Sequence, residues 1–367
     1  MLRLRNIVSG YDWFLAIVVF MLTAVGLAAI YSVDLSRGET LIYFPTQVIA
    51  FVLGLITMAI AGIIHKTRYA SLARPVYIFG LLLLLGVLIF GTSVRGTRGW
   101  FRIAGFSFQP AEFAKVALVL MLGWWTSKQG RRFDKWEYVF SSGIAAMLYV
   151  GLIMLQPDLG SASVLLGMWF FMLLVSRVKK RYIFSFIGIG LAVSVLAWFF
   201  IFKPYQKERI LNFVDPGRDP LGEGYNVTQS LIAIGSGEFW GKGLGSGSQS
   251  QLHFLPEAQT DFIIAVIGEE LGFVGIMLIL VLYYLLMWRL IMIARDANDD
   301  FSSYTVMGVL FVFGIQMIVN MGGATGLLPV TGVTLPFVSY GGSSLIMNYA
   351  LVGLAMAIYR SNKGKEW

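Results

Sequence analysis

The sequence predicts an all-α polytopic membrane protein with ten spans, and three observations predict it. Hydrophobic residues make up 57% of the 367 and charged residues only 13%. A soluble domain carries about 45–50% apolar and about 25% charged residues. The apolar residues gather in runs near the roughly 20 needed to cross about 30 Å of hydrocarbon. The Lys and Arg between the runs alternate in density from gap to gap. Backbone groups in lipid must be satisfied within their own segment, so each run is expected to be a helix.

In order, the spans are expected at Asp12–Val33, Tyr43–Ile64, Arg74–Gly91, Pro110–Thr126, Tyr138–Leu155, Leu159–Ser176, Tyr182–Phe202, Phe262–Ala294, Phe301–Met321 and Ser339–Tyr359. With the N-terminus inside, the inner gaps hold about twice as many Lys and Arg as the outer ones, which puts both termini in the cytoplasm. An error of one helix would reverse half of the gaps, so the split also supports the count of ten. The opening MLRLRNIVSGYDW leads into an apolar run without a small-residue cleavage pattern, so an uncleaved first span is expected. One integral membrane domain covers 1–367. Its large extracytoplasmic loop, about 203–261, lies between the seventh and eighth spans.

Several classes of chemistry are excluded or disfavoured. There is no cysteine, hence no disulfide, thiol nucleophile or Cys-based metal site. His65 and His253 lie in different kinds of segment and do not suggest a metal centre. The net charge of +8 reads as cationic loops facing the membrane's cytoplasmic side, so nucleic acid is not an expected partner. No internal repeat is visible, which disfavours a transporter of visibly duplicated halves. No P-loop, dinucleotide fingerprint, zincin motif or G-x-S-x-G elbow occurs.

The polar stretch from Asp215 to Asp261 is the most informative part of the chain. It ends in an acid at the lip of a membrane helix, which Pro256 and Glu257 are expected to open. Asp261 is either a helix-end acid favoured by the dipole or a general base at the membrane surface, able to accept a proton from a sugar hydroxyl. Glu269 and Glu270 lie about 12 Å deeper, turned by about 80° and 180° from Asp261. Glu269 is expected to line the interior and Glu270 to find a polar structural partner. Glycines 235, 237, 241, 243, 245 and 247 make a loop whose N–H groups could cradle phosphate, a weak signal.

Upstream, Glu112 and Lys115 open the fourth span at i and i+3, on one helix face. They are either a self-neutralising pair or a site where Lys115 meets an anionic headgroup. Arg95, Arg98 and Arg102, with Trp100 between them, either bind phosphate and stack on sugar or anchor the interface. Asp158 is expected to cap the sixth helix. Lys207 and Arg209 are either further phosphate partners or solvated charges.

The stretches GWFRIAGFSFQPAEFAKVAL, QPDLGSASV, DPLGEGYNVTQSLIAIGSGEFWGKGLGSGSQSQLHFLPEAQTDFIIAVIGEELG and LLPVTGVTLPFVSYGGSSLI resemble the SEDS family (shape, elongation, division and sporulation) across essentially the whole chain. The GSQSQLHFLPE form resembles the family's elongation branch, which serves rod shape. The resemblance implies a peptidoglycan glycosyltransferase of the bacterial cytoplasmic membrane, its site on the extracytoplasmic side. It would polymerise lipid II into glycan strands beside a class B penicillin-binding protein, a transpeptidase. The family's essential acid in the LPE-x-x-TD motif falls on Asp261, whose motif also holds Glu257. Its Trp and Arg before the fourth span fall on Trp100 and Arg102, and its E-x-x-K on Glu112 and Lys115. In this reading Lys115, Arg102 and Arg209 hold pyrophosphates. A divalent cation (Mg²⁺ or Mn²⁺) could assist, although no tight ligand cluster is visible. The rival readings are a lipid II flippase and a non-catalytic scaffold for a transpeptidase.

Overall fold

The computed structural model describes residues 10–36, 41–94, 96–103, 106–129, 136–176, 178–200, 202, 207–208, 211, 213 and 223–363. Helices dominate. In chain order they are α1 (Trp13–Leu35), α2 (Tyr43–Ile63), α3 (Lys66–Phe90), α4 (Pro110–Gln129), α5 (Trp136–Met154), α6 (Leu159–Val175), α7 (Lys180–Phe200), α8 (Glu223–Ser236), α9 (Ser248–Gln251), α10 (Ile263–Arg295), α11 (Asp300–Ala324) and α12 (Gly342–Asn362). Each of the ten predicted runs holds one of these helices. Seven of them (α1, α2, α3, α5, α10, α11 and α12) are long and apolar enough to cross a membrane.

The chain departs from all-α in one place. Between α3 and α4 it forms a three-stranded antiparallel sheet, β1 (Thr92–Val94), β2 (Thr97–Ile103) and β3 (Phe106–Phe108), in the order β1-β2-β3. The end of the TRGWFRI run pairs regularly with β3, Arg102 opposite Ser107 and Phe101 opposite Phe108, while its pairing with β1 carries a bulge at Gly99. Arg98 ties the sheet to the preceding helix, donating to Gly91 O at 2.9 Å and Ile89 O at 2.8 Å. A cation at these last carbonyls of α3 suits the negative end of the helix.

Close helix approach depends on small residues, as is common where lipid gives no hydrophobic drive between helices. Gly123 of α4 lies against Thr305 of α11, and Gly308 of α11 lies against Val119. The two helices therefore run antiparallel in tight contact. The exposed side chains are large and apolar on α1, α2, α3 and α7, among them Ile17, Phe20, Ile56, Leu82 and Phe199. Such faces suit contact with acyl chains.

The helix expected to open at Pro256 and Glu257 begins later, beyond Asp261. Residues 256–261 form turns, Glu257 has φ 56°, and α10 opens only at Ile263. The long loop does not simply hang over the bundle either. α8 lies against α11, with Ser230 Oγ donating to Ala324 O at 2.7 Å. The glycine loop after it docks into the side of α10.

Candidate active site

The segment carrying Asp261 is fixed through its backbone. Asn320 of α11 donates through Nδ2 to Asp261 O at 3.2 Å and to Val333 O at 2.9 Å. Ser339 Oγ donates to Thr260 O at 2.7 Å, and Tyr340 N donates to Gln259 O at 2.9 Å. Gln47 of α2 clasps the same region, donating to Ser339 O at 3.1 Å and accepting from Gly341 N at 3.0 Å. Asp261 is partly exposed two residues before α10, and Glu257 sits four residues earlier. Thr260 Oγ1 donates to Glu257 Oε2 at 3.2 Å, holding that carboxylate toward the turn.

A second polar group sits at the start of α4. Glu112 and Lys115 form the expected pair, at 2.6 Å, and both side chains are buried. Near them Asp158 caps α6, accepting from Ser161 N at 2.9 Å and Ser161 Oγ at 2.7 Å, as its position before LGSAS predicts. Gln109 Nε2 adds a bond to Asp158 at 3.0 Å. Burial pushes the Asp158 carboxyl above its ordinary range against the two Ser161 bonds. The Glu112 charge adds to that rise and the Lys115 charge opposes it. The two polar groups share a support. Gly160 of α6 abuts the Thr331 backbone, and Asn320 joins Val333 to Asp261.

Trp100 and Arg102 alternate along β2 and so start from one face of the strand, whereas a bulge at Gly99 pairs Arg98 with Ser93 and Trp100 with Thr92 and turns Arg98 to the other face. Arg98 is engaged with the α3 carbonyls, Trp100 is partly buried and Arg102 is exposed. Lys207 stands 5.9 Å from the Trp198 ring at the end of α7. Arg95 and Arg209 lie outside the described residues.

The glycine loop spends most of its N–H groups within the protein: those of Gly237, Gly241, Gly243 and Gly245 all have acceptors. Gln249 N (2.9 Å) and Ser250 N (3.1 Å) donate to the Glu269 carboxylate, which also receives Lys242 Nζ at 3.0 Å. Gly245 N donates to Glu270 at 3.2 Å, and Ser32 Oγ donates to the same carboxylate oxygen. Glu270 thus has its polar partner as predicted, whereas Glu269 grips the loop. The helix itself is broken to admit the loop. Gly272 has φ 65° and ψ −160°, a region essentially restricted to glycine. The freed N–H groups of Phe273 and Val274 donate to Glu238 O (2.9 Å) and Phe239 O (3.2 Å). The freed carbonyls of Glu269 and Glu270 accept from Lys242 N (3.0 Å) and Gly243 N (2.9 Å). The loop thus takes up these two donors and two acceptors of the kink, as burial in a bundle demands.

Sequence reasoning did not single out Asn320, Gln47, Gln109 or Ser339. A signal existed for the first two, since a polar side chain within a membrane run is costly and so has a reason to be there. Among the described residues no group of three or more His, Cys, Asp or Glu gathers as a metal site.

The comparisons decide the family. The FtsW/RodA/SpoVE family model, described as "Cell cycle protein", matches residues 12–364. The chain belongs to that family. It is 36% identical to the "Probable peptidoglycan glycosyltransferase FtsW" of Geobacter sp. (strain M18), over 97% of this chain and 99% of the relative. It is 37% identical to the "Peptidoglycan glycosyltransferase MrdB" of Escherichia coli (strain K12), over 89% and 88%. Among solved structures, the Thermus thermophilus rod shape determining protein RodA superposes with a TM-score of 0.71 at 31% identity, over 95% of this chain and 97% of that one. A chain from a study titled "Structural coordination of polymerization and crosslinking by a peptidoglycan synthase complex" superposes at 0.81 with 32% identity, over 97% and 99%.

Proposed function

We propose that this chain is a peptidoglycan glycosyltransferase that polymerises lipid II for cell elongation, with Asp261 as the base. The observation that carries the reading is the position of Asp261: an acid at the mouth of α10, partly exposed, on a segment held by Asn320, Ser339 and Tyr340. A rigid support of that kind suits a group that must meet a hydroxyl at hydrogen-bond distance.

In the reaction, the acceptor sugar hydroxyl attacks the anomeric carbon of the donor while Asp261 takes its proton. The bond from that carbon to the phosphate oxygen breaks, and the electron pair leaves with polyprenyl pyrophosphate. One displacement inverts the anomeric centre. The leaving group departs as a stabilised anion and needs no proton, so one carboxylate suffices, where glycosidases usually use two. Cations stabilise the developing charge. Lys115, Arg102 and Arg209 take that role, Trp100 stacks on sugar, and Glu112 and Glu257 orient their cationic and hydroxyl neighbours. The ten-span topology with both termini cytoplasmic places Asp261 on the extracytoplasmic side of the bacterial inner membrane, where the glycan strand grows. The relative taken from a polymerising and crosslinking complex supports a transpeptidase partner, a class B penicillin-binding protein.

The test is purified protein given lipid II, in detergent and in liposomes. Glycan strands in detergent are the expected result. Headgroup translocation across liposomes without strands would replace the enzyme with a flippase. Inactivity in both, alone and with the transpeptidase, would leave a scaffold.

A further inference from the structure

The bundle end opposite Asp261 carries a different kind of site. There Asp12 caps α1 and pairs with Arg289 of α10 at 2.6 Å. Lys66, at the start of α3, bonds Asp299 at 2.6 Å and Asn362 at 3.0 Å. Between α3, α4 and α11 lies a cavity of about 490 Å³, its walls including Ser71, Trp124, Lys128, Asp299, Asp300 and Phe301.

The walls differ in charge. On the α4 side, Lys128 stands one turn beyond Trp124, and the Arg74 guanidinium lies 4.1 Å from the Trp124 ring. On the α11 side stand Asp299 and Asp300. Asp299 is engaged, holding Lys66 and capping α11 through Ser302 N at 2.9 Å. Lys128 and Asp300 are exposed and enter no ion pair among the described residues. Among the described residues, the cavity therefore offers one cation and one anion that no ion pair takes up. A purely anionic ligand would meet two carboxylates, and a purely cationic one would meet Lys128 and Arg74. A ligand with both charges satisfies both walls.

The surroundings identify its source. Helix α3 is apolar enough to span a membrane, and its exposed Leu72 follows the cavity-lining Ser71, with the exposed Phe79 about two turns further along the helix. A Trp with an Arg stacked on it marks the level of headgroups. We propose that this cavity binds the headgroup of a zwitterionic phospholipid bearing a primary ammonium. Lys128 receives the phosphate, Asp300 receives the ammonium, and the acyl chains lie along α3. A primary ammonium donates N–H bonds to a carboxylate, charge-assisted and directional. A trimethylated ammonium has the same charge and no such donor.

Native mass spectrometry of the purified full-length protein, titrated with ethanolamine, choline and glycerol phospholipids of identical chains, tests this. Expected is at least tenfold tighter binding of the ethanolamine lipid than of either other. Asp300→Asn should bring the ethanolamine and choline lipids level, and Lys128→Gln should weaken both. Both positions are exposed, and an unchanged melting temperature for each variant confirms folding. Equal binding of ethanolamine and choline lipids by wild type overturns the proposal. A preference that survives Asp300→Asn, or tightest binding of the glycerol lipid, also overturns it.

Discussion

Asp261 and the pair Glu269–Glu270 lie within ten residues of one another, yet the protein treats them in opposite ways. The deeper acids are buried and gripped. Between them they receive backbone N–H groups from Gly245, Gln249 and Ser250 and side chains from Ser32 and Lys242. Asp261 is partly exposed, and its surroundings hold the backbone of its segment. The difference is one of access: the deeper carboxylates are consumed in fixing the fold, whereas Asp261 stays partly exposed at the mouth of α10, as the base proposed above requires. Glu112–Lys115 shows a third solution, an ion pair within one helix.

The comparison is broken most severely at Glu269. Glu269→Ala leaves Lys242 and two N–H groups without their acceptor, and loss of a buried partner costs roughly 3–5 kcal/mol. Thermal unfolding should show the loss, and limited proteolysis should cut the 237–251 loop. A wild-type melting temperature would remove the loop-gripping role. Gly272→Ala is next. Its Cβ would meet the Gly241 and Phe239 backbone in a conformation that side chains avoid, costing about 1–3 kcal/mol. A melting curve unchanged from wild type would mean that α10 is not broken there.

Length and apolarity made helices legible in all ten runs, and seven of those helices, among the described residues, are long and apolar enough to cross a membrane. The Asp158 cap was legible because a short acid before LGSAS has a local reason to be there. The small sheet was hidden within a basic segment whose charges drew the attention. The late start of α10 was hidden because Pro256 and Glu257 imitate a helix opening, while the turns actually formed are held at Gln259 and Thr260 by Tyr340 and Ser339, far along the chain. The fate of the glycine loop was equally illegible. Gly-rich sequence reports freedom of the backbone, and only the partner carboxylates, 20 residues or more along the chain, say where its donors go.

Asn320→Leu sharpens the contrast at lower cost. It removes the donor to Asp261 O and Val333 O, so strand formation should fall by about tenfold as the acid drifts. Stability should fall by only about 1 kcal/mol. Unchanged polymerisation kinetics would show that the Asp261 segment needs no such support. The smallest effect is expected at Asp158. Its carboxyl titrates above the ordinary 3.8 in the folded chain. Its contribution to stability is therefore complete below 3.8 and is lost as pH rises through the raised value. Asp158→Asn keeps a capping oxygen and removes that loss. The variant should match wild type in acid and be at least as stable at pH 7, and a variant clearly less stable at pH 7 would contradict this.

The most direct measurement compares strand formation from lipid II by wild type and by Asp261→Asn, at equal concentrations of folded protein with matched melting temperatures. A general base in the reaction predicts a fall of about 10²–10⁴-fold with the melting temperature unmoved. Polymerisation by Asp261→Asn at the wild-type rate would contradict the account.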